Sequence, residues 1–173
     1  IFTEPSDRLD AMAKRTGIVV ESLSRLELAT MMTDFSMQGM ENALKRMQRT
    51  IVQMVTGTNE QSRALAFLHL NLNEIKNLAP EDQLMLIADR LTEISDPTMR
   101  AGAAMAIFGR EATGMLPMLL AGSEGLKKWM EVAERLGVTI KAEVITAGDH
   151  LNDVIEVIKL QINRLAIAVG HGL

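Results

Sequence analysis

Breaks in the apolar pattern limit what this chain can fold into. Glycine, proline or a capping residue interrupts it at Gly17, Ser36, Gly57, Pro80, Asp96, Gly109, Ser123 and Gly137. One unbroken helix of 173 residues would be a rod of ~260 Å, at ~1.5 Å per residue. A chain punctuated this way should instead fold back on itself as a bundle of shorter helices.

Between the breaks the period is helical. Met40, Ala43, Leu44, Met47, Ile51, Met54 and Val55 recur in steps of three and four after Ser36, and Gly57 closes the run. That is one stripe of an α-helix. The chain holds thirteen Met, four Phe, one Trp and no Tyr. A core must therefore be built from Leu, Ile, Ala and Met, which favours helix-on-helix packing over aromatic-rich sheets. Hydrophobic residues at 47% and charged residues at 23% suit a chain with a real core.

Charge and residue usage exclude several classes. A net charge of −4 and a pI near 5.4 argue against a dedicated nucleic-acid binder, which needs a basic surface. With no cysteine, disulfide staples and thiolate metal sites are absent. The longest uncharged apolar stretch, Ala112 to Ser123, falls short of the roughly 18 residues a membrane span requires. The chain opens IFTEPS, without Met or a signal-peptide pattern, and is expected to be a segment of a longer polypeptide.

In order, Ser6 should cap a first helix carrying Leu9, Met12 and Ala13, with Gly17 as its stop. Ser22 should cap a second helix to about Met32, whose apolar residues are spread widely enough that more than one face should be covered. Thr58 or Asn59 starts a short helix to about Leu68, and Gly57 to Asn59 is a soft boundary within a single helical domain. A turn precedes a short helix over Asn73 to Asn77. Pro80 opens a helix with the stripe Leu84, Ile87, Ala88 and Leu91.

Asp96 and Pro97 form a strong start signal. The stripe that follows is Met99, Ala103, Ala106 and Ile107, with Gly102 beside it, so both alanines should face a close neighbour. Gly109 ends this helix. Glu111 to about Leu120 is the next piece, with Pro117 inside it predicting a kink or a short first turn. Ser123 caps a helix with the stripe Leu126, Trp129, Met130 and Ala133. Val138 to Ile145 alternates like a strand but has no strand to pair with, and reads as loop then helix. From about Ala147 to Val169 a long C-terminal helix carries Leu151, Val154, Ile155, Ile158, Ile162, Leu165 and Val169. Its apolar side is broad enough to need burial or a partner. The fold class is all-α, a compact multi-helix bundle without significant sheet.

The sequence carries no recognisable catalytic, cofactor-binding or metal-ligating set. His69, His150 and His171 are far apart, and Asp149, His150 and Asp153 are better read as a solvated helix start than as ligands. Gly109 to Gly114 lacks the phosphate-loop pattern and a preceding strand, so an interhelical turn is the preferred reading. Glu41, Glu81 and Asp82 read as acids at helix starts. Lys45, Arg46 and Arg49 read as a solvated face, with contact to an acidic partner as the alternative. Met31, Met32, Met37, Met40, Met47 and Met54 read as core before they read as an adaptable contact surface. The chain is expected not to be an enzyme.

The stretch DPTMRAGAAMAIFGREATGMLPMLLAGSEGLKKWMEVAERLG, Asp96 to Gly137, resembles the core region of tail tape measure proteins of long-tailed bacteriophages and prophages. The shared pattern runs through Asp96, Pro97, Arg100, Ala101, Phe108, Gly109, Arg110, Gly114, Leu116, Pro117, Leu119, Gly122, Leu126, Leu136 and Gly137. It extends back to Leu84, Ile87, Ala88, Asp89 and Leu91, to the helix pair around LSRLELATMMTDFSMQGMENALKRM, and forward to Asn152 and Asp153, where Leu151 replaces an aromatic residue. The resemblance implies a structural role: occupying the tail tube lumen and helping to set tail length. Implied partners are the tail tube protein, tail-tip proteins, assembly chaperones and other copies of the chain. The implied location is the virion tail, and the host cytoplasm during assembly. The competing expectation is a cytoplasmic bacterial helical adaptor or regulatory domain.

Overall fold

The computed structural model of the chain describes residues 5–57 and 68–139, and every regular element among them is helical. The order is α1 (Pro5–Thr16), α2 (Val20–Met32), α3 (Met37–Val55), α4 (Leu72–Ile75), α5 (Pro80–Glu93), α6 (Pro97–Phe108), a 3-10 turn (Gly109–Glu111), α7 (Ala112–Leu119) and α8 (Gly122–Arg135). The helix expected from Thr58 or Asn59, the Val138 to Ile145 segment beyond Thr139 and the long C-terminal helix lie outside the described residues.

Local signals explain many of the boundaries. Ser36 caps α3, accepting the Gly39 N–H at 3.0 Å. Asp96 caps α6, accepting the Met99 N–H at 2.8 Å, with Pro97 at the first helical position. Pro80 opens α5, followed by Glu81 and Asp82 in the positive first turn. The stops read at Gly17, Gly57, Gly109 and Gly137 all have positive φ.

Three expected caps fail. α1 begins at Pro5, ahead of Ser6, and α2 begins at Val20, so Ser22 lies inside the helix and is buried. Ser123 does not cap α8 with its own side chain. Its N–H instead donates to Asp89 Oδ1 of α5, at 2.6 Å. A carboxylate from a neighbouring helix thus takes the place of a local hydroxyl at the positive end of α8. Gly122 belongs to the same device. Its φ is +65°, and a Cβ there would lie 3.1 Å from Asp89 Oδ1.

The helices share one core. α8 packs against both α2 and α5, while α3 packs against α1, α6, the 3-10 turn and α7. α7 touches α3, α5, α6 and α8, which ties the two groups together. The core draws on both sides of Gly57, from Leu9 to Met130. α2 is covered on several faces, with Val20, Leu23, Leu26, Leu28 and Ala29 all buried. The α5 stripe Leu84, Ile87, Ala88 and Leu91 is completely buried. The α3 stripe is buried from Met40 to Met54, but Val55 is exposed at the last turn.

Aromatic packing is sparse and local. Phe108 is the bulkiest of the fully buried side chains. Phe35 lies between glycines of two helices. A Cβ at Gly39 of α3 would come 2.8 Å from Phe35 Cζ, and one at Gly114 of α7 would come 3.1 Å from its ring. Glycine at both positions is what lets the ring pass between α3 and α7.

α6 is rotated from its expected setting. Its buried residues are Ala103, Ala104, Ile107 and Phe108, whereas Met99, Gly102 and Ala106 are exposed. The sequence offers an apolar residue at almost every position of this helix, so periodicity alone could not choose the face.

Two consequences can be measured. Ala103→Leu should lower stability by about 1–3 kcal/mol through overpacking, while Ala106→Leu should leave the melting temperature unchanged or slightly higher. Asp89→Ala should cost about 1 kcal/mol by uncapping α8, read as a shift in the urea midpoint.

Candidate functional site

The most strongly built polar cluster is the carboxylate of Glu41. It is the fifth residue of α3 and faces inward, with 6% of its side chain exposed. Arg15, in the last turn of α1, binds it through two nitrogens: Nε to Oε1 at 2.7 Å and Nη2 to Oε2 at 3.0 Å. Lys45, one turn further along α3, reaches Oε1 at 3.0 Å. Burial alone would raise the carboxyl's pKa. The hydrogen bonds and positive charges of Arg15 and Lys45 outweigh that, and hold it below its ordinary value of 4.5.

The reading of Glu41 as an acid at a helix start is therefore corrected. It lies beyond the first turn and joins α3 to α1. Spacing reveals the Lys45 partner at i+4, but nothing local in the sequence points to Arg15. The same junction carries a second link, in which Gln48 Nε2 of α3 donates to the carbonyl of Thr16 at the end of α1.

The other singled-out residues separate. Of the basic cluster, Lys45 is committed to Glu41, Arg46 lies against Gly109, and Arg49 is exposed. A Cβ at Gly109 would meet Arg46 Cγ at 3.4 Å. This is a packed contact within the cluster expected to form a solvated face. The Gly109 to Gly114 stretch is a 3-10 turn leading into α7. Met37, Met40, Met47 and Met54 are core, but Met31 and Met32 are exposed at the end of α2. His69 is exposed, at a φ of 47°, and His150 and His171 lie outside the described residues. Among the described residues, no three His, Cys, Asp or Glu side chains form a group that could hold a metal ion. No described helix is long and apolar enough to cross a membrane.

Among the described residues, two hollows are well defined. The larger, about 470 Å³, runs between the end of α3 and the start of α5 and is lined mainly by Ile51, Val52, Val55, Pro80 and Gln83. Its amides are already committed: Gln48 bonds Thr16, and Gln83 donates to the Ile75 carbonyl at 3.0 Å. The smaller, about 280 Å³, lies at the start of α6 between His69, Arg90, Glu93, Ile94, Asp96 and Met99. Arg90 pairs with Glu93 at 3.1 Å, and Asp96 caps α6. Both places offer contact surface whose polar groups mostly serve the fold.

Comparison with known protein families, with characterised proteins and with solved structures finds no match.

The Glu41 link has a pH signature. Because folding lowers this carboxyl's pKa, its contribution is complete above the unfolded value near 4.5 and fades as pH falls below it. Glu41→Gln should cost about 1–3 kcal/mol at pH 7. Below pH 4.5 the variant should lose less further stability than the parent. Urea melts at neutral and acid pH would show this as two converging curves.

Proposed function

We propose that this chain is a structural segment of a phage tail tape measure protein, acting through protein contacts and not through catalysis. The observation that carries the reading is the order and spacing of the Asp96 to Gly137 pattern, which resembles the core region of that family. Many positions of the pattern have a definable physical task in this chain. Asp96 and Pro97 start α6, and Phe108 fills the core. Gly114 admits the Phe35 ring, and Gly122 meets Asp89. Gly137 and Val138 close α8 with N–H bonds back to Glu134 and Ala133, both at 3.0 Å.

On this reading the segment is a compact part of the protein and not the ruler itself. Its helices fold back on one another, and the longest described one, α3, has 19 residues. Its partners would be the tail tube protein, tail-tip proteins and assembly chaperones. It would reside in the host cytoplasm during assembly and in the virion tail afterwards. The adaptor reading shares the contact chemistry but places the chain outside any particle.

Mass spectrometry of purified tails separates the two. Tails from the phage or induced prophage that encodes the chain should yield its tryptic peptides. Tails that are fully assembled and lack them would overturn the proposal.

A further inference from the structure

We infer that Arg46, Arg49 and Arg110, gathered where α3 meets the end of α6, form a docking surface for an acidic segment of another protein. Charge and geometry at that junction carry it, whether or not the chain belongs to a phage tail.

Positive charge is concentrated here against the trend of the chain. The net charge is −4, yet α3 carries Lys45, Arg46 and Arg49 and a single acid, Glu41. That acid is buried and already held by Arg15 and Lys45. α6 holds Arg100 and no acid, and the 3-10 turn after it adds Arg110 and Glu111. Lys45 is spent on Glu41. Among the described residues, no acid pairs with Arg46 or Arg49.

The fold sets the three arginines side by side. Thr50 of α3 donates to the Ile107 carbonyl at 3.2 Å, which fixes the end of α6 against α3. A Cβ at Gly109 would lie 3.4 Å from Arg46 Cγ and 3.8 Å from its Nε. Arg46 therefore lies over the residue that precedes Arg110. Arg49, three residues further along α3, is its neighbour on the helix surface. Arg110 stands with 91% of its side chain exposed, touching the adjacent Glu111 at 3.3 Å. A solvent-facing pair of that kind holds an arginine weakly, and leaves most of its five N–H donors free.

Arg46 is also positioned in advance. Its stem packs on Gly109, and its Nε is enclosed without a hydrogen-bond partner. A guanidinium held by its stem loses little freedom when a ligand arrives. The carbonyl end of α6 steadies this charge through its dipole, but Arg49 and Arg110 are exposed and serve no such end.

The chemistry selects a carboxylate-bearing protein segment. Planar guanidinium forks match carboxylates through two parallel hydrogen bonds. A nucleic acid would offer phosphates to the same forks, but a net charge of −4 repels a long polyanion. Phe35 and Phe108, the aromatics nearest along the chain, pack into the core and offer no stacking face for bases. Two or three closely spaced Glu or Asp side chains suffice to satisfy the arginines, and complementary charge sets the specificity of such a contact.

Fluorescence anisotropy with a labelled deca-glutamate peptide tests this, in about 0.1 M salt, where exposed charges more than about 10 Å apart are screened. Saturable binding is expected below about 1 mM. Arg49→Gln with Arg110→Gln, both at exposed positions, should weaken it roughly tenfold or more and leave the melting temperature unchanged. Lys127→Gln with Lys128→Gln removes the same charge from exposed positions of α8, and should change the affinity by less than about twofold. Arg46→Lys keeps the charge but loses the fork, and should weaken binding several-fold. Four results would each overturn the inference: no saturable binding up to about 1 mM, equal losses from the lysine and arginine pairs, tighter binding of a labelled deca-thymidylate, or self-association of the chain that the arginine pair abolishes.

Discussion

Everything in this fold depends on how short helices finish their ends. Each helix leaves about four N–H and four C=O groups without an internal partner, and a bundle of short helices brings many of those ends into the interior. Here neighbouring helices satisfy several of them. Gln48 and Thr50 of α3 donate to the last carbonyls of α1 and α6, at Thr16 and Ile107. Gln83 of α5 donates to the carbonyl of Ile75 in α4. Asp89 of α5 receives the Ser123 N–H of α8. Thr50 and Gln83 are both buried, so each of these bonds is made away from water; the Ile75 carbonyl also accepts the Leu78 N–H at 3.3 Å.

These bonds give the packing its register. The core is made of Leu, Ile, Ala and Met, residues that tolerate sliding and repacking well. A methionine-rich interface between two helices does not by itself define where one stops against the other. A side chain that must reach a particular carbonyl does. Glu41 adds a charged version of the same device, held by two nitrogens of Arg15 and by Lys45. Together with Gln48 it locks the end of α1 to the middle of α3.

What the core leaves uncovered is equally informative. Val52 is 61% exposed beside the larger hollow, and α6 presents methionine and small residues outward. A structural component of an assembly needs such faces, because its binding energy comes from apolar area that folding did not use. The proposed tail role draws on this surplus.

Local signals in the sequence were enough to place most of the described helices to within a few residues. The period of Met40 to Met54, the Ser36 and Asp96 caps, the prolines at helix starts and the positive-φ glycines at helix ends all act within a few residues, so reading along the chain finds them. They determine an all-helical chain of short elements and most of its buried stripes. Tertiary structure decided what no local window contains: that Asp89 and not Ser123 caps α8, that Arg15 of α1 joins Lys45 on Glu41, and that α6 turns Ala103 inward and Ala106 outward. In each case the deciding group belongs to another helix, or the helix is so evenly apolar that either face could be buried. Periodicity tells which side of a helix is greasy, but only packing tells which greasy side finds a neighbour.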